Sequence, residues 1–147
     1  MSTPASVKGH PIHPILITLP IGLWVFSFAT DLVFLVGWGG PVWRLVASYT
    51  LAGGVVGALL AAVPGFIDFL SITDRRVGKV ALAHMLLNLL VVVIFALSFA
   101  LRIVSPLGPL PVAVSAVGIV GLAIAGWLGG ELVFVHNMGV KPPPRSR

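Results

Sequence analysis

Seven polar side chains sit where an apolar sequence has least use for them: His10, His13, Asp68, His84, Asn88, Glu131 and His136. Imidazoles and carboxylates are the nitrogen and oxygen donors of metal sites, and paired neutral imidazoles hold b-type haem. His10 and His13 fall in His10-Pro11-Ile12-His13-Pro14. His84 and Asn88 are four residues apart, so a helix would stack one above the other. Two site chemistries use these donors. One is a single b-type haem, with His84 as the first axial ligand, His13 or His136 as its partner and His10 ranking last. Arg75, Arg76 and Lys79 would then meet the propionates. The other is a metal-ion site built from His10, His13, His84 and His136 with Asp68 or Glu131. Such a nitrogen and oxygen set suits Fe, Zn, Mn or Cu(II). The spacing matches neither H-E-x-x-H nor E-x-x-H, so it names no metal. A third reading gives the same residues no ligand: a hydrogen-bonded cluster at the mouth of a non-catalytic membrane subunit or scaffold.

The chain has no cysteine. Disulfides, thiolate metal sites, cysteine-ligated iron–sulfur clusters and covalently attached c-type haem are thereby excluded. No Ser–His–Asp motif marks a hydrolase, and no pair of interrupted helices marks a carrier.

The elements that must position these groups are transmembrane helices. The sequence is 58% hydrophobic and only 9% charged, against roughly 25% charged in soluble domains. So few charges cannot make a water-facing surface, and lipid must cover most of the outside. Crossing about 30 Å of hydrocarbon takes roughly 20 apolar residues. Four runs qualify, at about 15–36, 45–63, 80–104 and 110–135. Gly37-Trp38-Gly39-Gly40-Pro41 and Ser105-Pro106-Leu107-Gly108-Pro109 make tight turns. Pro64-Gly65 is expected to end the second span and open a longer loop to Lys79. The expected fold is an all-α integral membrane protein, a four-helix bundle filling residues 1–140, followed by a flexible basic tail, 141–147. The first run is too long for a signal h-region and lacks a cleavage site, so it is expected to stay in the protein.

Charge sets the orientation. The net charge is +5 and the isoelectric point about 10.9, yet no basic stripe with interleaved aromatics points to nucleic acid. Lys8, Arg75, Arg76, Lys79, Lys141, Arg145 and Arg147 share the amino-terminal side, and only Arg44 and Arg102 lie on the far side. Lys and Arg stay inside, so both termini and all four histidines are expected at the cytoplasmic face. Asp31 and Arg102, near the far ends of spans one and three, are expected to form a structural ion pair. Gly53, Gly57 and Ala61 on span two, and Gly118, Gly126 and Gly130 on span four, with Gly121 and Ala125 nearby, suit close helix packing. The same small faces could take a flat macrocycle. Trp38-Gly39-Gly40 and Trp127-Leu128-Gly129-Gly130 are alike but too short to establish an internal repeat.

Several of these segments together resemble the DUF2231 family of bacterial membrane proteins. They are Gly9-His10-Pro11-Ile12-His13-Pro14-Ile15-Leu16, Leu19-Pro20-Ile21-Gly22-Leu23-Trp24, Asp31, Val63-Pro64-Gly65-Phe66-Ile67-Asp68, His84 with Asn88, and Gly129-Gly130-Glu131-Leu132. The match spans nearly the whole chain. The resemblance implies a multi-pass protein of the bacterial inner (plasma) membrane. Family members fused to Rieske-type domains imply a redox setting, with quinone or a partner subunit exchanging electrons and self-association into a homo-oligomer open. The general plan is similar to four-helix b-type cytochromes, which hold bis-histidine haem between helices. This chain lacks the C-x-H pairs of a Rieske domain, and it lacks far-side histidines for a second haem.

Overall fold

The computed structural model describes residues 3–105 and 108–140. The proposed tail and part of the third turn, Pro106-Leu107, therefore lie outside the described residues. A two-stranded hairpin, β1 (Ser6–Val7) and β2 (His10–Pro11), precedes five helices: α1 (Ile12–Leu16), α2 (Thr18–Leu35), α3 (Val42–Leu70), α4 (Arg75–Val104) and α5 (Leu110–Phe134). Lys8 and Gly9 turn the hairpin with positive φ at both residues, the twist that a two-residue connection needs.

The first span is α1 and α2 together. Ile17 N–H still bonds His13 O (3.0 Å) and Ile21 N–H bonds Ile17 O (3.3 Å). Pro20 has no N–H for Leu16 O, which accounts for the break between the two helices. Among the described residues, four helical stretches are long and apolar enough to cross a membrane: 12–35, 42–70, 75–104 and 110–134.

Two boundaries differ from the sequence expectation. Pro64-Gly65 does not end the second span; α3 runs on to Leu70 with Pro64 buried inside it. Proline costs one backbone bond, and neighbouring helices make that tolerable in a membrane span. The third span starts at Arg75 rather than Val80, because Asp74 caps it by accepting the Arg76 and Val77 N–H groups at 2.7 and 3.1 Å. The long loop thus shrinks to Ser71–Asp74, and Asp68 sits within a helix instead of after one.

Large apolar side chains such as Val25, Phe26, Leu59, Leu90 and Val120 face outward, whereas Ser27, Asp31, Arg44, Ser98, Arg102 and Ser115 are buried. Polar groups inside and hydrocarbon outside is the arrangement that lipid demands. The core joins Trp24, Leu51, Val91, Phe95 and Leu122, with the Trp24 and Phe95 rings stacked at 4.3 Å. The bundle is two helical hairpins, α1/α2 with α3 and α4 with α5, each packed along its length and meeting the other more sparingly.

Glycines set the close approaches. A methyl at Gly54 would overlap the Trp24 indole, one at Gly118 the Phe95 ring, and one at Gly57 would press on Leu19 and Pro20. Gly126 has open space beside it and faces the cavity described below rather than a neighbouring helix.

Candidate functional site

His13 is fixed from two directions. Its Nδ1 lies 2.8 Å from Ala61 O on α3, and its ring rests where a side chain on Gly65 would otherwise stand. Ala61 and Gly65 are one helical turn apart, so one short stretch of α3 supplies both the acceptor and the room. His84 is held in the same way from α5. Its Nδ1 lies 2.9 Å from Ala125 O, and its ring lies against Gly129, again one turn on. A carbonyl oxygen only accepts, so Nδ1 carries a proton in both rings and the neutral imidazole keeps its lone pair on Nε2. Asn88 Nδ2 approaches His84 Nε2 at 3.2 Å and donates to His84 O at 2.8 Å.

The two imidazoles come together across the hairpins. Their ring centroids are 6.4 Å apart, with the planes at 87°. Both border one cavity of about 810 Å³, shared with Trp24, Ala58, Met85, Asn88 and Gly126. Its walls are almost wholly hydrocarbon. Ala58, Ala62, Gly126 and Gly130 keep them flat. His84 lies more than two turns into α4, because the helix begins at Arg75 and not at the expected span start near residue 80.

The remaining donors do not join this pair. His10 is exposed in β2. Asp68 borders the cavity, but its Oδ1 accepts the Ala5 N–H at 2.9 Å. That bond pins the amino-terminal segment over the carboxyl-terminal end of α3. His136 falls in the turn after α5, where its backbone N–H bonds Glu131 O at 3.2 Å. Neither His136 nor Glu131 borders the cavity, and neither do Arg75, Arg76 and Lys79. Among the described residues no three His, Cys, Asp or Glu side chains gather as a metal site. The six-residue ion set read from sequence is therefore not gathered: it is spread over β2, α1, α3, α4, α5 and the turn after α5, and of its members His13 and His84 face each other. Ala61, Gly65, Ala125 and Gly129, which orient the pair, carry no donor side chain, and the sequence marked Ala61 and Ala125 only as parts of small-residue faces.

At the far end of the bundle Asp31 is fully buried. Arg102 grips it with two bonds, 2.8 and 2.5 Å, and Arg44 adds a third at 3.1 Å. Arg44 also donates to Gly108 O and lies over the Phe34 ring at 5.1 Å. The expected Asp31–Arg102 pair is present, and Arg44 makes it a triad.

The model of a predicted membrane protein family, DUF2231, matches residues 9–142. The chain belongs to the DUF2231 family. The matched span takes in all four transmembrane helices and both cavity histidines of this DUF2231 protein. No curated protein and no solved structure matches it.

Proposed function

We propose that this DUF2231 protein is a membrane-embedded redox protein that holds one b-type haem between His13 and His84. One observation carries the reading: two imidazoles from different hairpins each give Nδ1–H to a helix carbonyl and border a single apolar cavity. A carbonyl on the far nitrogen fixes tautomer and ring orientation, the usual support behind a metal-ligating histidine. The number of ligands favours haem over a bare ion. A zinc-like ion needs three or four protein donors. Haem brings four nitrogens of its own and asks the protein for two. The cavity volume lies within the roughly 300–1,000 Å³ usual for cofactor pockets. The long Asn88–His84 Nε2 bond is one a metal–nitrogen bond would displace, while the amide keeps its hold on His84 O.

Bound haem would supply one-electron transfer, its potential set by axial ligands and burial. The chain's own contribution is to orient the two rings and exclude water. Quinone, reaching the site through lipid, or a partner subunit would exchange the electrons. Both termini lie in the cytoplasm of a bacterial cell in this reading, by the excess of Lys and Arg at that end.

The test is spectroscopic. Protein purified in detergent from cells with intact haem supply is scanned oxidised and dithionite-reduced, with elemental analysis of the same sample. A Soret band is expected that His13→Ala and His84→Ala each abolish and His10→Ala and His136→Ala leave alone. Stoichiometric metal without a Soret band, no bound group at all, or a band surviving the His13→Ala/His84→Ala double change would each overturn the proposal.

A further inference from the structure

We infer that the bundle is two copies of one helical hairpin paired about an internal two-fold axis along the membrane normal, and that the histidine site lies on that axis. The site would then take a single centre that accepts one imidazole on each of two equivalent sides. The nature of that centre rests on the haem reading; the duplication does not.

The contacts between hairpins reveal the repeat. Asp31 binds Arg102, a residue 71 positions on. The same separation relates His13 to His84, which face each other, and Trp24 to Phe95, which stack. A side chain that touches its own counterpart must lie beside a two-fold axis, because only that operation makes a contact reciprocal. Three such contacts, at the cytoplasmic end, the middle and the far end of the bundle, draw the axis along its length.

The second helix of each hairpin agrees. Arg44 and Gly108, 64 positions apart, touch one another, and this separation relates α3 to α5 throughout. His13 binds Ala61 O and His84 binds Ala125 O. Ser27 Oγ donates to Ala47 O and Ser98 Oγ to Pro111 O, at 2.7 and 2.8 Å. Gly54 makes room for Trp24 and Gly118 for Phe95; Gly57 faces Pro20 and Gly121 faces its counterpart Val91; Gly65 receives His13 and Gly129 receives His84. In each case the same job falls to the equivalent residue.

Residue identity follows the same register. His13, Leu16, Leu19 and Ser27-Phe28-Ala29 return as His84, Leu87, Leu90 and Ser98-Phe99-Ala100. Gly54, Val56, Gly57, Ala61 and Gly65 return as Gly118, Val120, Gly121, Ala125 and Gly129. Parallel repeats about an axis along the membrane normal are a known membrane-protein plan. The repeats differ where a strict two-fold would fail. Two aspartates or two arginines meeting at the axis would repel in a medium that cannot screen them. Asp31 opposite Arg102 turns that contact into attraction, so each hairpin fits its unlike copy better than itself.

Exchange across the axis tests the inference in the full chain. Trp24→Phe and Phe95→Trp, made singly, each lower the melting temperature in detergent by roughly 4–8 °C, from a gap or an overpacked ring. Made together they swap equivalent residues, each still facing a glycine, and the melting temperature returns to within about 2 °C of wild type. A double variant no more stable than the sum of its singles overturns the duplication. A second variant exchanges segments 54–65 and 118–129 and is expected to remain monodisperse; aggregation of both exchange variants, with the single-site controls intact, also overturns it. Neither readout uses a ligand, so a missing Soret band leaves the duplication standing. If the band is present, His13→Ala and His84→Ala should abolish it alike; a band that needs only one imidazole overturns the on-axis site while leaving haem binding intact.

Discussion

Replacing Asp31 by Asn removes one charge from the far-side triad and almost nothing from its shape. The carboxylate is fully buried and accepts three guanidinium N–H groups, from Arg102 at 2.8 and 2.5 Å and from Arg44 at 3.1 Å. The amide leaves one acceptor oxygen and turns an NH₂ group toward donors. Two guanidinium groups, both nearly inaccessible, then lose the carboxylate's charge. Breaking a buried pair from one side costs about 3–5 kcal/mol. At about 2–4 °C per kcal/mol for a chain of this size, the melting temperature should fall on the order of 10 °C. Circular dichroism melts in detergent, with gel filtration to confirm a monodisperse sample, measure this directly. Replacing all three groups by apolar ones, Asp31→Leu with Arg44→Met and Arg102→Met, should recover much of the loss, because it strands no charge. An Asp31→Asn protein melting within about 2 °C of wild type would refute the reasoning. A change in the absorbance of any bound cofactor would show that the triad is not purely structural.

Other perturbations follow from single contacts. Gly65→Ala and Gly129→Ala push a methyl into the His13 and His84 rings; each should weaken cofactor binding in a titration and cost about 1–3 kcal/mol. Gly126→Ala, with open space beside it, should leave melting unchanged or raise it by up to about 1 kcal/mol of helix propensity. Trp24→Ala empties the centre of the core and should cost about 3–5 kcal/mol in the same melts. Asp68→Ala frees the Ala5 amide, and limited proteolysis should then cut the amino-terminal segment faster. The Asp74 carboxyl is held below the usual range, first by the Val77 N–H and then by the Arg76 N–H. The unfolded chain therefore binds the proton more readily, so this cap stabilises above about pH 4 and is lost as pH falls below it. Asp74→Ala should remove that acid-dependent part of the melting curve.

Much of the architecture was legible in the sequence because hydropathy over twenty residues is a one-dimensional signal. Lipid forces every such run to satisfy its own backbone, so four spans and their turns follow without knowledge of packing. The far-side ion pair was legible too, since opposite charges at matching depth in lipid have little choice but to meet. Helix ends were less legible. Proline suggested a stop at residue 64, but the apolar stretch beyond it, together with the Ala5–Asp68 bond, keeps α3 going to Leu70. Similarly, Asp74 looks like one more loop residue until its carboxylate is seen capping α4.

The composition of the site was decided by tertiary structure alone. Sequence brought four histidines and two carboxylates to one end of the bundle, but depth says nothing about which way a side chain points around a helix. Packing turned His13 and His84 toward each other and left His10 in solvent, because only those two rings find a glycine to lie on and a helix carbonyl to bind. The repeat hid for a related reason. Its identical side chains are few and recur at two different separations, 71 and 64, and the carbonyls and glycines that share the remaining jobs become visible only when the two hairpins are seen face to face.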